Sequence, residues 1–195
     1  MVGSAFPGGM DGDRASSPAR LLELLVDWLV IALCLVALAV GSLLVYTELL
    51  GGVPEFDERQ THLLSLAVSV LPVTLGCAVL DWCGGTPGKR LAGLGLRWRT
   101  RSFWRALVRN AVKFLPWQLG HTGLICGVYR GFEDPATMTL LLSSQLLFLV
   151  LLAAGLFSPS RRHLGDLLAG TRVVQRARPG RAAAGERSVS GTASP

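Results

Sequence analysis

Residues 20–46, RLLELLVDWLVIALCLVALAVGSLLVY, form an apolar run of membrane-spanning length that carries Arg20, Glu23 and Asp27 in its opening turns. As a helix rising about 1.5 Å per residue it reaches roughly 39 Å, more than a hydrocarbon core of about 30 Å. The run therefore predicts a tilted spanning helix. Asp27 lies two turns below Arg20 on one helical face, with Glu23 at the i+3 and i−4 positions between them. A carboxylate at the centre of such a helix costs about 2.5 to 3.5 kcal/mol on insertion scales. Asp27 is shallower than that, and it still needs a partner or a task.

The rest of the chain fits that environment. Of its 195 residues 50% are hydrophobic and 16% charged, with mean hydropathy +0.46. These values predict one integral membrane domain rather than a soluble globule. A net charge of +6 and a pI near 9.8 raise nucleic acid as a partner. The basic residues sit where a bilayer topology wants them, so no nucleic acid is expected, and the partners are the lipid bilayer and its anionic headgroups on the cytoplasmic face. Cys34, Cys77, Cys83 and Cys126 show no CxxC or His-flanked spacing, which predicts buried, inert thiols, no metal and no cofactor. Ala37-Leu38-Ala39 resembles a signal-peptide cleavage site. Two acids in the apolar region and a run that continues past Ala39 favour an uncleaved signal anchor.

Outward from the first run, residues 1–19 are rich in Gly, Ser and Pro and predict a disordered cytoplasmic lead. Residues 48–61 form an acidic loop, and residues 62–80 a second span kinked at Pro72. The strongly basic stretch 81–113 must face the cytoplasm. Within it Gly84 and Gly85 permit unusual φ, Thr86 and Pro87 suit a helix start, and residues 94–99, LGLRWR, alternate as a short strand. Residues 171–174, TRVV, are its expected partner after a short basic helix that holds Asp166 and ends at Gly170.

Residues 102–129 read by hydropathy alone as an interfacial helix or a span, and charge decides between them. Residues 136–157 are a clear span followed by Arg161, Arg162, Arg172, Arg176 and further arginines. If residues 108–128 also cross, only Arg59 and Arg130 of the 19 Lys and Arg lie outside, with Glu48, Glu55, Asp57, Glu58, Glu133 and Asp134. The expected architecture is thus an all-α membrane protein: a four-helix transmembrane bundle (spans 21–46, 62–80, 108–128 and 136–157), N- and C-termini cytoplasmic, with a short cytoplasmic β-ribbon. The domain covers 20–176, and residues 177–195 predict a disordered tail.

Arg20 and Asp27 seven apart, GGTPGKRLAGLGLR after the second span and RRHLGDLLAGTRVV near the end together resemble the RDD family of small bacterial membrane proteins. The resemblance covers roughly residues 19–175. It implies that Arg20 is the family arginine and that Asp27 and Asp166 are its two aspartates. It also implies location in the cell membrane and a suspected transport role. The family often has His directly before the second aspartate and Arg directly after; here Gly165 and Leu167 stand there, with His163 three residues upstream of Asp166.

Arg20, Glu23, Asp27 and Asp166, with the i+4 basic stripe Arg105, Arg109 and Lys113, are predicted to form a polar cluster in the cytoplasmic half. One reading is a cation or proton exchange site for transport. The other is a set of structural ion pairs, Arg20 with Glu23 and Asp27 with the stripe, in a structural or assembly partner of a larger membrane complex. A homodimer is compatible with so small a bundle. Lys89 and Arg90 lie in GGTPGKR, which lacks phosphate-loop spacing because only three residues separate Gly84 from Gly88. They predict a tight turn facing headgroups. His121 and Gln118 predict interhelical hydrogen bonds, or a proton relay. Trp28, Trp82, Trp104 and Trp117 predict interfacial anchors. No nucleophile triad, HExxH or paired acids of hydrolase spacing is present, so no enzyme is expected. The topology has a direct test. Single cysteines at Glu55 and at Glu133, in a background freed of native thiols, should both react with an impermeant maleimide from outside; reaction at one site alone would break the four-span reading.

Overall fold

The computed structural model describes residues 15–158 and 162–176. Helix α1 (Ser17–Leu44) starts where the Ser16 hydroxyl accepts the Ala19 N–H and Pro18 presets φ in the first turn. It ends in a π turn, Val45–Leu49. Residues 15–19 are therefore not a loose lead. The other expected disordered stretches, 1–14 and 177–195, lie outside the described residues.

The side chains of α1 are distributed as lipid requires. Its buried residues are Arg20, Glu23, Asp27 and Ile31, three and four apart on one stripe, while Leu25 is 68% exposed and Asp27 only 4%. Leucines outward and charges inward would be inverted for a water-soluble helix.

Helix α2 (Glu58–Ser65) opens with a capping box between Asp57 and Gln60 and continues through a π turn, Leu66–Val70, into α3 (Leu71–Trp82). Pro72 offers no N–H, and the widened turn just before it accommodates the ring. A π turn therefore stands just before Pro72, where the sequence predicts a kink. Asp81 falls in the last turn of α3 and is fully buried. Positive φ at Gly84 and Gly85 then turns the chain into the short α4 (Pro87–Leu91).

Strand β1 (Leu94–Trp98) follows, then α5 (Phe103–Arg130), α6 (Pro135–Phe157), α7 (Leu164–Ala169) and β2 (Thr171–Gln175). The two strands pair antiparallel, Leu94 opposite Gln175 and Trp98 opposite Thr171, as the alternation predicted. A two-stranded ribbon is marginal alone. This one buries Leu94 and Val173 against Ala15, with Ala19 of α1 packed beside them.

Helix α5 is a single 28-residue helix that packs against α3, α6 and α7. A small core of Ile31, Cys77 and Phe114 joins it to α1 and α3. Three helical stretches, Ser17–Leu49, Glu58–Leu91 and Pro135–Phe157, are long and apolar enough to cross a membrane. Two expectations change here. Cys34 and Cys83 are exposed, so only Cys77 and Cys126 are buried thiols. Trp28 and Trp117 meet each other at 6.1 Å between ring centroids inside the helix cluster, leaving Trp82 and Trp104 as the exposed pair.

At Gly88 the α4 backbone comes so close to α1 that a Cβ would overlap the Glu23 carbonyl oxygen and the Asp27 carboxylate. Gly88→Ala should cost about 1 to 3 kcal/mol in unfolding measurements in micelles. Gly41→Ala, with nothing within 4 Å of the new methyl, should cost nothing or stabilise by about 0.5 to 1 kcal/mol.

Candidate functional site: a buried charge network and the cavity beside it

The start of α1, the end of α3, the start of α5, and α4 and α7 meet at one end of the structure, and each brings charge. The Arg109 guanidinium lies between two carboxylates: Nε donates to Asp166 Oδ1 at 2.7 Å, and Nη1 donates to Asp81 Oδ2. Asn110 also donates to Asp81 Oδ2, at 3.0 Å. Lys89 Nζ is 2.9 Å from both Asp81 Oδ1 and Glu23 Oε1. Glu23 Oε2 reaches Arg20 Nη1 at 3.4 Å, and Arg20 Nη2 lies 4.0 Å from Asp166 Oδ2. The result is a continuous chain of alternating charge.

Asp27 occupies its own branch. Its carboxylate accepts the Thr86 hydroxyl at 2.7 Å and the Gly88 N–H at 2.8 Å, and Lys113 Nζ approaches at 3.8 Å. Thr86, expected to cap α4 with its own oxygen, instead donates that hydroxyl to Asp27, and Asp27 caps α4 from the neighbouring helix. Gly165 repeats the close approach, since a Cβ there would lie 2.7 Å from the Arg109 carbonyl oxygen.

His163 caps α7 and sets its Nε2 3.4 Å from Asp166 Oδ2. The histidine that the sequence lacks beside Asp166 is thus supplied in space from three residues upstream. Burial lowers the His163 pKa to about 4, with Arg109, Lys113 and Arg20 adding to the effect against the pull of Asp166. The ring is neutral across the ordinary pH range. Burial alone would raise the Asp166 carboxyl; the Arg109 guanidinium more than reverses this and holds it below the usual carboxylate range.

Several predicted residues change role. Lys89 is fully buried between two carboxylates rather than facing headgroups, whereas Arg90 is exposed and donates to the Gly85 carbonyl at 3.0 Å. The basic stripe does not meet Asp27 as a unit: Lys113 does, Arg109 serves Asp81 and Asp166, and Arg105 donates to the Ala169 carbonyl. The interhelical bonds expected of His121 and Gln118 are instead bonds within α5, His121 Nδ1 lying 3.1 Å from the Trp117 carbonyl and Gln118 donating to Thr122. Asp81 and Asn110 were missed. Asp81 heads the basic stretch 81–113, and its isolation there among eight cations is the sequence signal that it has a partner.

Beside the network, between α1, α5 and α6, lies a cavity of about 690 Å³. Leu24, Trp28, Trp117, Phe148 and Leu152 give it apolar walls, and His121, Ser144 and Gln145 also line it. Its charged end shows Arg20, Arg109 and Lys113 against the single acid Glu23. Asp27, Asp81 and Asp166 do not line it.

The model of a family described as the RDD family matches residues 14–170. No curated protein and no solved structure matches the chain.

Removing Arg109 would leave Asp81 and Asp166 without their shared cation. Arg109→Gln should lower unfolding free energy in micelles by about 3 to 5 kcal/mol. Arg105→Gln, which gives up one hydrogen bond to a carbonyl, should cost about 1 kcal/mol.

Proposed function

The chain belongs to the RDD family, and from that premise we propose a four-span protein of the cell membrane with both termini cytoplasmic and a transport-related role. In this reading the cavity holds the solute and the charge network holds the cavity. The fourth span is supported by the reach of α5. Arg109 meets Asp81 at the end of α3, and at the other end Arg130 meets Glu58 while Tyr129 meets Thr61 at the start of α2. Helix α5 therefore runs between the same two levels as residues 58–82.

One observation carries the solute class. Three cations and one acid face an apolar, aromatic-walled cavity, which suits a solute with an anionic head and an apolar body. Asp27, bonded through both carboxylate oxygens, and Asp166, bonded through Oδ1, then act as structural ion-pair members that position Arg109, Lys113 and α4. A second reading is favoured by Glu23. It belongs to both network and cavity, so a cation or proton exchange pathway would run through Glu23 rather than Asp27.

Purified protein in lipid nanodiscs should bind a fluorescent long-chain carboxylate. Lys113→Gln should weaken it about tenfold or more, the cost of a lost charge-assisted hydrogen bond. Gly155→Phe, which places a ring in the cavity from a position with nothing within 4 Å, should abolish binding with the melting temperature retained. Absence of binding, together with vesicle proton flux that is lost in Glu23→Gln, would favour exchange; absence of both would overturn the transport reading.

A further inference from the structure

The opposite end of the structure carries a second cluster that neither the charge network nor the cavity uses. Glu58 and His62 stand four apart on α2, so both project from one face, and Cys126 of α5 faces them. Cys126 Sγ is 3.9 Å from Glu58 Oε1 and 4.0 Å from His62 Nε2, and the two α2 groups are 3.7 Å apart. The three donor atoms lie within 4.8 Å of one another. Tetrahedral coordination with bonds of about 2.0 to 2.3 Å spaces its ligand atoms roughly 3.3 to 3.6 Å apart. The triangle need contract by only a few tenths of an ångström.

The helices that carry these groups are fixed by other contacts. Tyr129 on α5 donates to the Phe56 carbonyl at 2.5 Å, and its hydroxyl lies 2.8 Å from that of Thr61 on α2. The capping box at Asp57 sets the start of α2 one residue before Glu58. Cys126 is 6% exposed, whereas the Glu58 and His62 side chains are each 28% exposed, so the cluster has a buried sulfur base and an accessible mouth. Thiolate, imidazole and carboxylate together are a borderline-soft donor set, suited to zinc-class ions and unlike the all-oxygen sets of magnesium or calcium.

We propose that Glu58, His62 and Cys126 form a binding site for a divalent transition ion of the zinc class, with a fourth position open to water or a small ligand. Three protein donors leave a fourth tetrahedral position open, unlike the four-ligand set of a closed structural site. On binding, the Cys126 S–H bond breaks, an S–metal bond forms and the proton leaves to solvent, with no change of oxidation state. Arg130 sets the threshold: its Nε and Nη2 hold Glu58 Oε1 at 2.8 and 2.6 Å, so the ion competes with a guanidinium that is 55% exposed. The proposal is independent of the cavity reading, since none of the three donors lines that cavity.

The test is titration of the full chain in micelles with Co²⁺, in a background where the exposed Cys34 and Cys83 are serine. One equivalent should produce a thiolate-to-cobalt charge-transfer band that Zn²⁺ displaces. Cys126→Ser should abolish the band. His62→Gln should weaken affinity by more than about tenfold, the cost that even an outer-shell partner carries at such sites, and Arg130→Gln should strengthen it. If Cys126→Ser does not fold, His62→Gln and Arg130→Gln decide by moving affinity in opposite directions. No band in the parent protein, a band surviving in Cys126→Ser, or affinity unchanged in both remaining variants would overturn the site.

Discussion

Charge removed from water and surrounded by lipid must be neutralised inside the protein, and Arg109 is where this chain does so twice over. Its guanidinium joins the last turn of α3 to α7 through Asp81 and Asp166. A planar fork of donors suits that bridge as an ammonium would not. Around it the ledger is even: Glu23, Asp27, Asp81 and Asp166 face Arg20, Lys89, Arg109 and Lys113. A balanced cluster can be packed shut, because each ion has an opposite charge beside it to offset part of a desolvation cost of several kcal/mol.

Packing follows from that balance. Glycine stands where backbones must nearly touch, at Gly88 against α1 and at Gly165 against α5, so the carboxylates reach their donors without an intervening side chain. The ribbon closes over the network from the same end: Thr171, the first residue of β2, donates its hydroxyl to Asp166. The cavity inherits its polarity from this arrangement. Asp27, Asp81 and Asp166 turn away toward their partners, and three cations remain at its edge with Glu23.

The sequence made the polar stripe of α1 visible because three- and four-residue spacing is a local property of one helix. The ribbon was visible for a similar reason, since period-two alternation in 94–99 needs no tertiary knowledge. Long-range pairing was not legible. The sequence ends the second span at residue 80 and puts Lys89 in a tight turn, whereas α3 extends through Asp81 and the short α4 turns Lys89 inward. The basic stripe of α5 was correctly seen as a stripe, yet its three members serve three different elements. Cys126 and His62 lie 64 positions apart, so no spacing rule on a single element would join them.

The network ties Arg20, near the start of the first helix, to Asp166 on the last one. A ribosome adding about 5 to 20 residues per second leaves the leading span waiting on the order of ten seconds for that counterpart. Early in that interval Glu23 has only Arg20 beside it, and Asp27 waits for Lys113, 86 residues further along the chain. The network can therefore close only after the chain through Asp166 has emerged, so its assembly is the last step of folding rather than part of the insertion of the leading helix.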